Sequence, residues 1–136
     1  MKRFFRPALP ALTLFEMVVV LGIIGILVLV AIPILMPLIS KAKSTEAQLQ
    51  LEHVYTMEKT YFYINSKYST DFNAISYEHA KLTTEGGNAN YKIQITDAGN
   101  TGFKATATAI VDFDADGIFN VWEIDQDKNL KEVTPD

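Results

Sequence analysis

The sequence predicts an α+β protein in which a long N-terminal helix, hydrophobic and then amphipathic, packs on a small C-terminal antiparallel β-sheet. Three observations predict it. Residues 17–39 form a run of about 23 residues without a single charge, long enough to cross a hydrocarbon core of roughly 30 Å. Apolar residues then recur at spacings of three and four through Ala47, Leu51, Val54, Met57, Tyr61 and Ile64, the stripe of an amphipathic helix. Beyond residue 90 the period changes to two, with Tyr91, Ile93 and Ile95 and then Phe103, Ala105, Ala107, Ala109 and Val111 alternating with other residues, as in a strand with one buried face.

Composition narrows the function. The chain has 136 residues, so setting aside the apolar run leaves roughly 100 residues for one modest globular head. Of 12 Lys and Arg against 16 Asp and Glu, Lys2, Arg3 and Arg6 all precede Ala11, leaving the remainder markedly acidic. That argues against a phosphate-tracking nucleic-acid binder, whose Lys and Arg cluster on the head. There is no cysteine, which excludes disulfides, thiolate catalysis and cysteine zinc sites. The two histidines, His53 and His79, fall in different segments and do not suggest a zinc site. No nucleophile, base and orienting group can be assembled, nor a glycine-rich phosphate loop, so no enzyme is expected.

The apolar run is too long for the 7 to 15 residue core of a cleaved secretory signal, and no small-x-small cleavage site follows it in "LISKAKSTEAQ". Its small-residue spot, "ALPA" at residues 8–11, lies before the helix. Basic residues ahead of the run predict a cytoplasmic N-terminus and a C-terminal part outside. One feature is costly. Glu16 heads the run, and a carboxylate deep in a bilayer helix costs roughly 2.5 to 3.5 kcal/mol on insertion scales unless it finds a partner. Glycine weakens a helix by about 1 kcal/mol relative to alanine, and proline removes a donor and crowds the preceding turn. Gly22, Gly25 and Pro33 therefore mark a softer zone, with Pro37 a further bend.

At Ala11, Leu12, Thr13, Leu14, Phe15 and Glu16 the chain resembles the type IV pilin and pseudopilin superfamily, whose precursors carry a short basic leader, a small residue, "FTLIE" and an apolar helix. Gly22, Gly25 and "AIP" ending at Pro33 fall at the family's spacing. Two positions depart from it: Ala11 stands where the family usually has Gly before the cut, and Leu12 where it usually has Phe. The resemblance implies a pilin ladle fold, with a leader at 1–11, a transmembrane and assembly helix at 12–39, an amphipathic continuation at 40–68 and a globular head at 69–136. It implies processing between Ala11 and Leu12 by a prepilin peptidase, N-methylation of the new amine, and pairing of that amine with Glu16 of a neighbouring subunit. Buried charge of this kind can fix register between helices. In related filaments the stretch 25–33 is often unwound. The expected partners are further copies in a helical filament, the membrane and a pilus or secretion assembly platform. The expected location is the inner membrane for the precursor, then an extracellular pilus or a periplasmic pseudopilus. A minor pilin or secretion pseudopilin shares this N-terminal logic, and a membrane-anchored calcium-binding module is the alternative from another class.

In the continuation, Glu46, Glu58 and Lys59 are expected on the solvent or intersubunit side. The helix should fade at "NSKYST", whose Asn, Ser and Thr favour turns. Residues 70–90 read as a loop-rich connection, with a short turn at 71–75 and "EGGNAN" as a breaker. "DAGNTG" is hairpin chemistry. Trp122 and Ile124 share a face of a third strand, and residues 130–133 form a short fourth. Trp122, Phe103 and the tyrosines are expected to be buried against the helical stripe.

"DFDADGIFNVWE", residues 112–123, satisfies the calcium-loop pattern D-x-D-x-D-G-x5-E in full. Carboxylates at alternate positions around a glycine turn can wrap a hard cation at about 2.3 to 2.6 Å. The candidate ligands are Asp112, Asp114, Asp116, the carbonyl of Ile118, Asn120 directly or through water, and Glu123, with Ca2+ the implied ion. An EF-hand has a helix on each side, whereas the flanks here read as strands, which would point Glu123 away from Trp122 and leave the cage unclosed. An acidic connection, or a turn held by Asx-type bonds, is the other reading.

Overall fold

A computed structural model describes residues 12–135. The element order is α1 (Leu14–Asn65), a one-turn 3-10 helix (Thr83–Glu85), β1 (Tyr91–Ala98), β2 (Phe103–Ala109), β3 (Val121–Asp125) and β4 (Lys131–Thr134). This is the α+β layout that the sequence predicts. The chain divides within α1 into two compact units, the second beginning at Met36.

In the first unit, α1 starts with a reciprocal cap. The N–H of Glu16 donates to Thr13 Oγ1 at 3.2 Å, while Glu16 Oε2 accepts from the Thr13 N–H at 2.8 Å and the Thr13 hydroxyl at 2.9 Å. Two amides that the first turn would leave unpaired are thus satisfied by one residue pair. From there the apolar residues are exposed around the whole helix, Leu14, Phe15 and Leu29 among them. Helix is continuous through Gly22, Gly25 and Pro33, so the softer zone is not unwound in the single chain.

In the second unit, α1 ends at Asn65. Ser66 takes φ 56° and its N–H donates to the Phe62 carbonyl at 2.8 Å, a left-handed cap in a residue other than glycine. The four strands form one antiparallel meander in the order β1-β2-β3-β4. Ala47, Leu51 and Val54 of α1 join Tyr91, Ile93, Phe103, Ala105, Ala107, Ala109 and Ile124 in one core. The alanine row on β2 leaves room for the larger side chains of its neighbours, which is why a strand with so little bulk can lie mid-sheet.

The helical stripe needs two corrections. The buried face runs Ala47, Leu51, Val54 and then Glu58, while Met57 and Tyr61 are half-buried and Ile64 is 76% exposed. Steps of four, three and four keep residue 58 in phase with 47, 51 and 54; a reading that follows only apolar letters drifts off that face at Met57. Glu46 also turns inward, accepting from the Asn90 N–H at 2.7 Å and Asn90 Nδ2 at 2.8 Å. It pins α1 to the start of the sheet instead of facing solvent. Trp122 is half-buried, on the same face of β3 as the buried Ile124.

The connection from α1 to β1 is irregular but well bonded. Asp71 closes the turn at 71–75 through the amides of Asn73 and Ile75. Gly87 is required there, since a Cβ would fall 2.0 Å from the Lys81 carbonyl oxygen.

Candidate functional site

Two regions carry the candidate residues. At the head of α1, Leu12 is 69% exposed, and Glu16 is held in its own chain by Thr13, as described above. Ala11 lies outside the described residues. The capping pair was legible as Thr-x-x-Glu at residues 13–16, yet the apolar context draws attention to Glu16 alone. Within a single chain, then, the carboxylate enters the helix with its first hydrogen bonds already made. Gly22 and Gly25 meet nothing within 4 Å of where a Cβ would be. Packing among the described residues therefore gives no reason for glycine at either position.

The second region is the loop between β2 and β3. Asp112, Asp114 and Asp116 each offer one carboxylate oxygen within 4.8 Å of the others. The same carboxylates already organise the loop's backbone. Asp112 Oδ1 accepts from the Ala115 N–H at 2.6 Å and Oδ2 from the Gly117 N–H at 2.8 Å. Asp114 Oδ1 takes the Asp116 N–H at 3.1 Å, and Asp116 Oδ1 the Ile118 N–H at 2.7 Å. The Gly117 amide is the largest influence holding the Asp112 carboxyl below the usual carboxylate range. Positive φ at Ala115 (64°) and Gly117 (89°) lets successive amides turn inward.

Two of the remaining proposed ligands, Asn120 and Glu123, are committed elsewhere. Asn120 is fully buried; its Oδ1 accepts from the Tyr91 hydroxyl at 2.8 Å, and its Nδ2 donates to Glu132 Oε1 at 2.6 Å and to the Thr134 carbonyl at 3.0 Å. Glu123 lies on β3, 3.4 Å from Lys104 Nζ and 3.2 Å from Lys131 Nζ. Strand alternation puts it on the face opposite Trp122 and Ile124. The Ile118 carbonyl belongs to an exposed residue next to the three aspartates. Of the six candidates, Asp112, Asp114 and Asp116 bring their carboxylates together, while Asn120 and Glu123 are engaged elsewhere. The histidines play separate parts, His53 edge-on to Tyr77 and His79 accepting the Ile93 N–H through Nε2 at 2.9 Å.

Among the described residues the chain has one helix that is long and apolar enough to cross a membrane, and a small α+β head follows it in sequence. The window that is long and apolar enough to span lies near the N-terminus, and none of it is buried within the chain. The chain is 36% identical over 73 residues to the type IV major pilin protein PilA of Myxococcus xanthus (strain DK1622), and this similarity supports the type IV pilin superfamily. The match covers 54% of this chain and 33% of that protein, so the chain spans about a third of the length of the curated relative it matches. No family model matches.

Proposed function

We propose that this chain is a structural subunit of a type IV pilus or related filament, inserted as a precursor, cut between Ala11 and Leu12 by a prepilin peptidase, and polymerised through its N-terminal helix. The observation that carries this reading is the apolar surface of α1. Val18, Leu21, Ile24, Leu27, Leu29 and Ile32 are all 47% or more exposed in the single chain. An apolar surface that encircles a helix is stable in lipid or among copies of itself, and not in water. Lipid holds the precursor and neighbouring helices hold the polymer.

Glu16 supplies the register. The cut frees an α-amine at Leu12, one residue before the cap, where the Glu16 carboxylate of an adjacent copy can reach it. A charge left alone in a dry core is strongly unfavourable, and pairing offsets much of that at one axial offset only. Assembly work comes from a platform and motor, and the acidic heads face outward. Such a filament serves adhesion, motility, secretion or DNA uptake.

The test compares wild type with Glu16→Ala in the native host. The variant is expected to insert into the membrane at normal levels while its yield of sheared surface filaments falls at least about tenfold, the size of effect when a buried charge is left unpaired. Normal filament yield from the variant would overturn the register role.

A further inference from the structure

Glu58 is a titratable group that has no part in the assembly proposed above. It sits on α1 in the head, well outside the membrane-length segment 17–39, and is fully buried. Its Oε2 accepts the Ser69 N–H at 3.2 Å, while Oε1 has no hydrogen-bond partner among the described residues. A buried carboxylate usually has several donors or a cation; this one has one amide, contributed by the segment that follows the helix.

The charged and titratable groups around it are engaged elsewhere. On its own helix, the Lys59 ammonium is 3.1 Å from the Tyr68 hydroxyl and lies over the rings of Tyr55 and Tyr68. From the following segment, Tyr68 packs against Phe62 and Phe103, and exposed Asp71 caps its own turn. From the β3–β4 turn, Lys128 pairs with Glu52 at 3.9 Å and lies over Tyr55. The core residues contributed by β2, Phe103, Ala105, Ala107 and Ala109, carry no charge. Among the described residues, none of these groups forms an ion pair or hydrogen bond with Glu58.

We propose that Glu58 is a protonation-controlled latch between α1 and residues 66–75, closed while its carboxyl is neutral and loosened when it ionises. Neutral, the side chain keeps the Ser69 amide and places no charge in the core. Ionised, it places a full charge in the core with Oε1 unsolvated, and water reaches that oxygen by lifting the adjoining segment, which is joined to β1–β2 by the Tyr68 N–H on the Gly99 carbonyl at 2.9 Å. Removal from water is the larger influence on the group and pushes its pKa up to about 7, against the downward pull of the Ser69 amide. The latch therefore responds near neutrality, where exposed carboxylates are already ionised. It gives the head of the subunit a pH-dependent surface close to the end of its long helix.

The experiment uses the full chain in detergent micelles. The side-chain carboxyl carbon of Glu58, followed by NMR, is expected to titrate with a midpoint near 7; a midpoint below about 5, the range of an ordinary glutamate, would overturn the latch. Hydrogen exchange of the Tyr68 and Ser69 amides, corrected for intrinsic base catalysis, is expected to lose at least about tenfold protection between pH 5.5 and 8.5 in wild type, one pKa unit being tenfold. The loss should vanish in Glu58→Gln and Glu58→Leu. Equal losses in wild type and either folded variant would also overturn it, and the carboxyl titration decides the matter if neither variant folds. Neither readout involves filaments, so its failure leaves the assembly reading untouched.

Discussion

At Glu16 the carboxylate accepts two donors from Thr13 in an exposed first turn, whereas at Glu58, on the same helix, it holds one amide in the core. The first residue stabilises its helix locally and the second depends on its proton. Thr13→Val should fray the first turn at a cost of about 1 kcal/mol, seen as faster exchange of the Glu16 amide, while Thr13→Ser should preserve it. Equal exchange in the two variants would contradict the reciprocal cap. The sign for Glu58 follows from its pKa being raised on folding. Its stabilisation is fully present below the unfolded carboxyl value and is lost as pH rises through about 7. Glu58→Leu should accordingly melt above wild type at pH 8, by a margin that narrows toward pH 4.5; a margin independent of pH would contradict this. Asp112 runs the other way. Amide bonds depress its pKa, so its contribution is present above the unfolded value and lost as pH falls through the folded one.

The β2–β3 loop shows how an element can satisfy a ligand pattern and still hold itself together. Four amides, those of Ala115, Asp116, Gly117 and Ile118, are taken by the three aspartates, and buried Asn120 fastens the loop's end to Tyr91 and β4. The head is therefore expected to keep its melting temperature in excess chelator, whereas Asn120→Ala, which strips partners from Tyr91 and Glu132, should lower stability by about 1 to 3 kcal/mol. A large chelator-induced drop would show that an ion, not the amides, closes the loop. At this scale the sequence was readily legible wherever period and turn chemistry agreed: β2 and β3 follow from alternation, and the hairpin from "DAGNTG". Glu58 and Glu46 were not legible as inward-facing, because charge is normally a signal of solvent; backbone phase reveals the burial of Glu58, and only the bonds to Asn90 reveal the inward turn of half-buried Glu46. Asn120 was misleading for the opposite reason. Its place in a metal-loop spacing said nothing of the tyrosine hydroxyl that the fold brings to it from 29 residues away. Glu123 was decided by strand alternation alone, once its segment is a strand.

For the whole molecule, the governing fact is a surface that water cannot solvate well. The head closes a core with its own sheet, while the apolar residues of the first unit find no cover among the described residues. A Cβ at residue 22 or 25 would meet no packed neighbour within 4 Å among the described residues. Gly22→Leu and Gly25→Leu are therefore expected to leave the head's melting temperature unchanged while reducing filament yield, because they obstruct only helix-to-helix approach. Loss of head stability in these variants would place the glycines in an intrachain role. A membrane anchor that never assembles has the same need for lipid but none for processing. Intact-mass spectrometry of sheared surface fibres separates the two most directly. A processed filament subunit is expected to give a polypeptide that begins at Leu12, with or without a methyl group on its amine. A chain that keeps residues 1–11, stays in the membrane fraction and is absent from the fibres would contradict it.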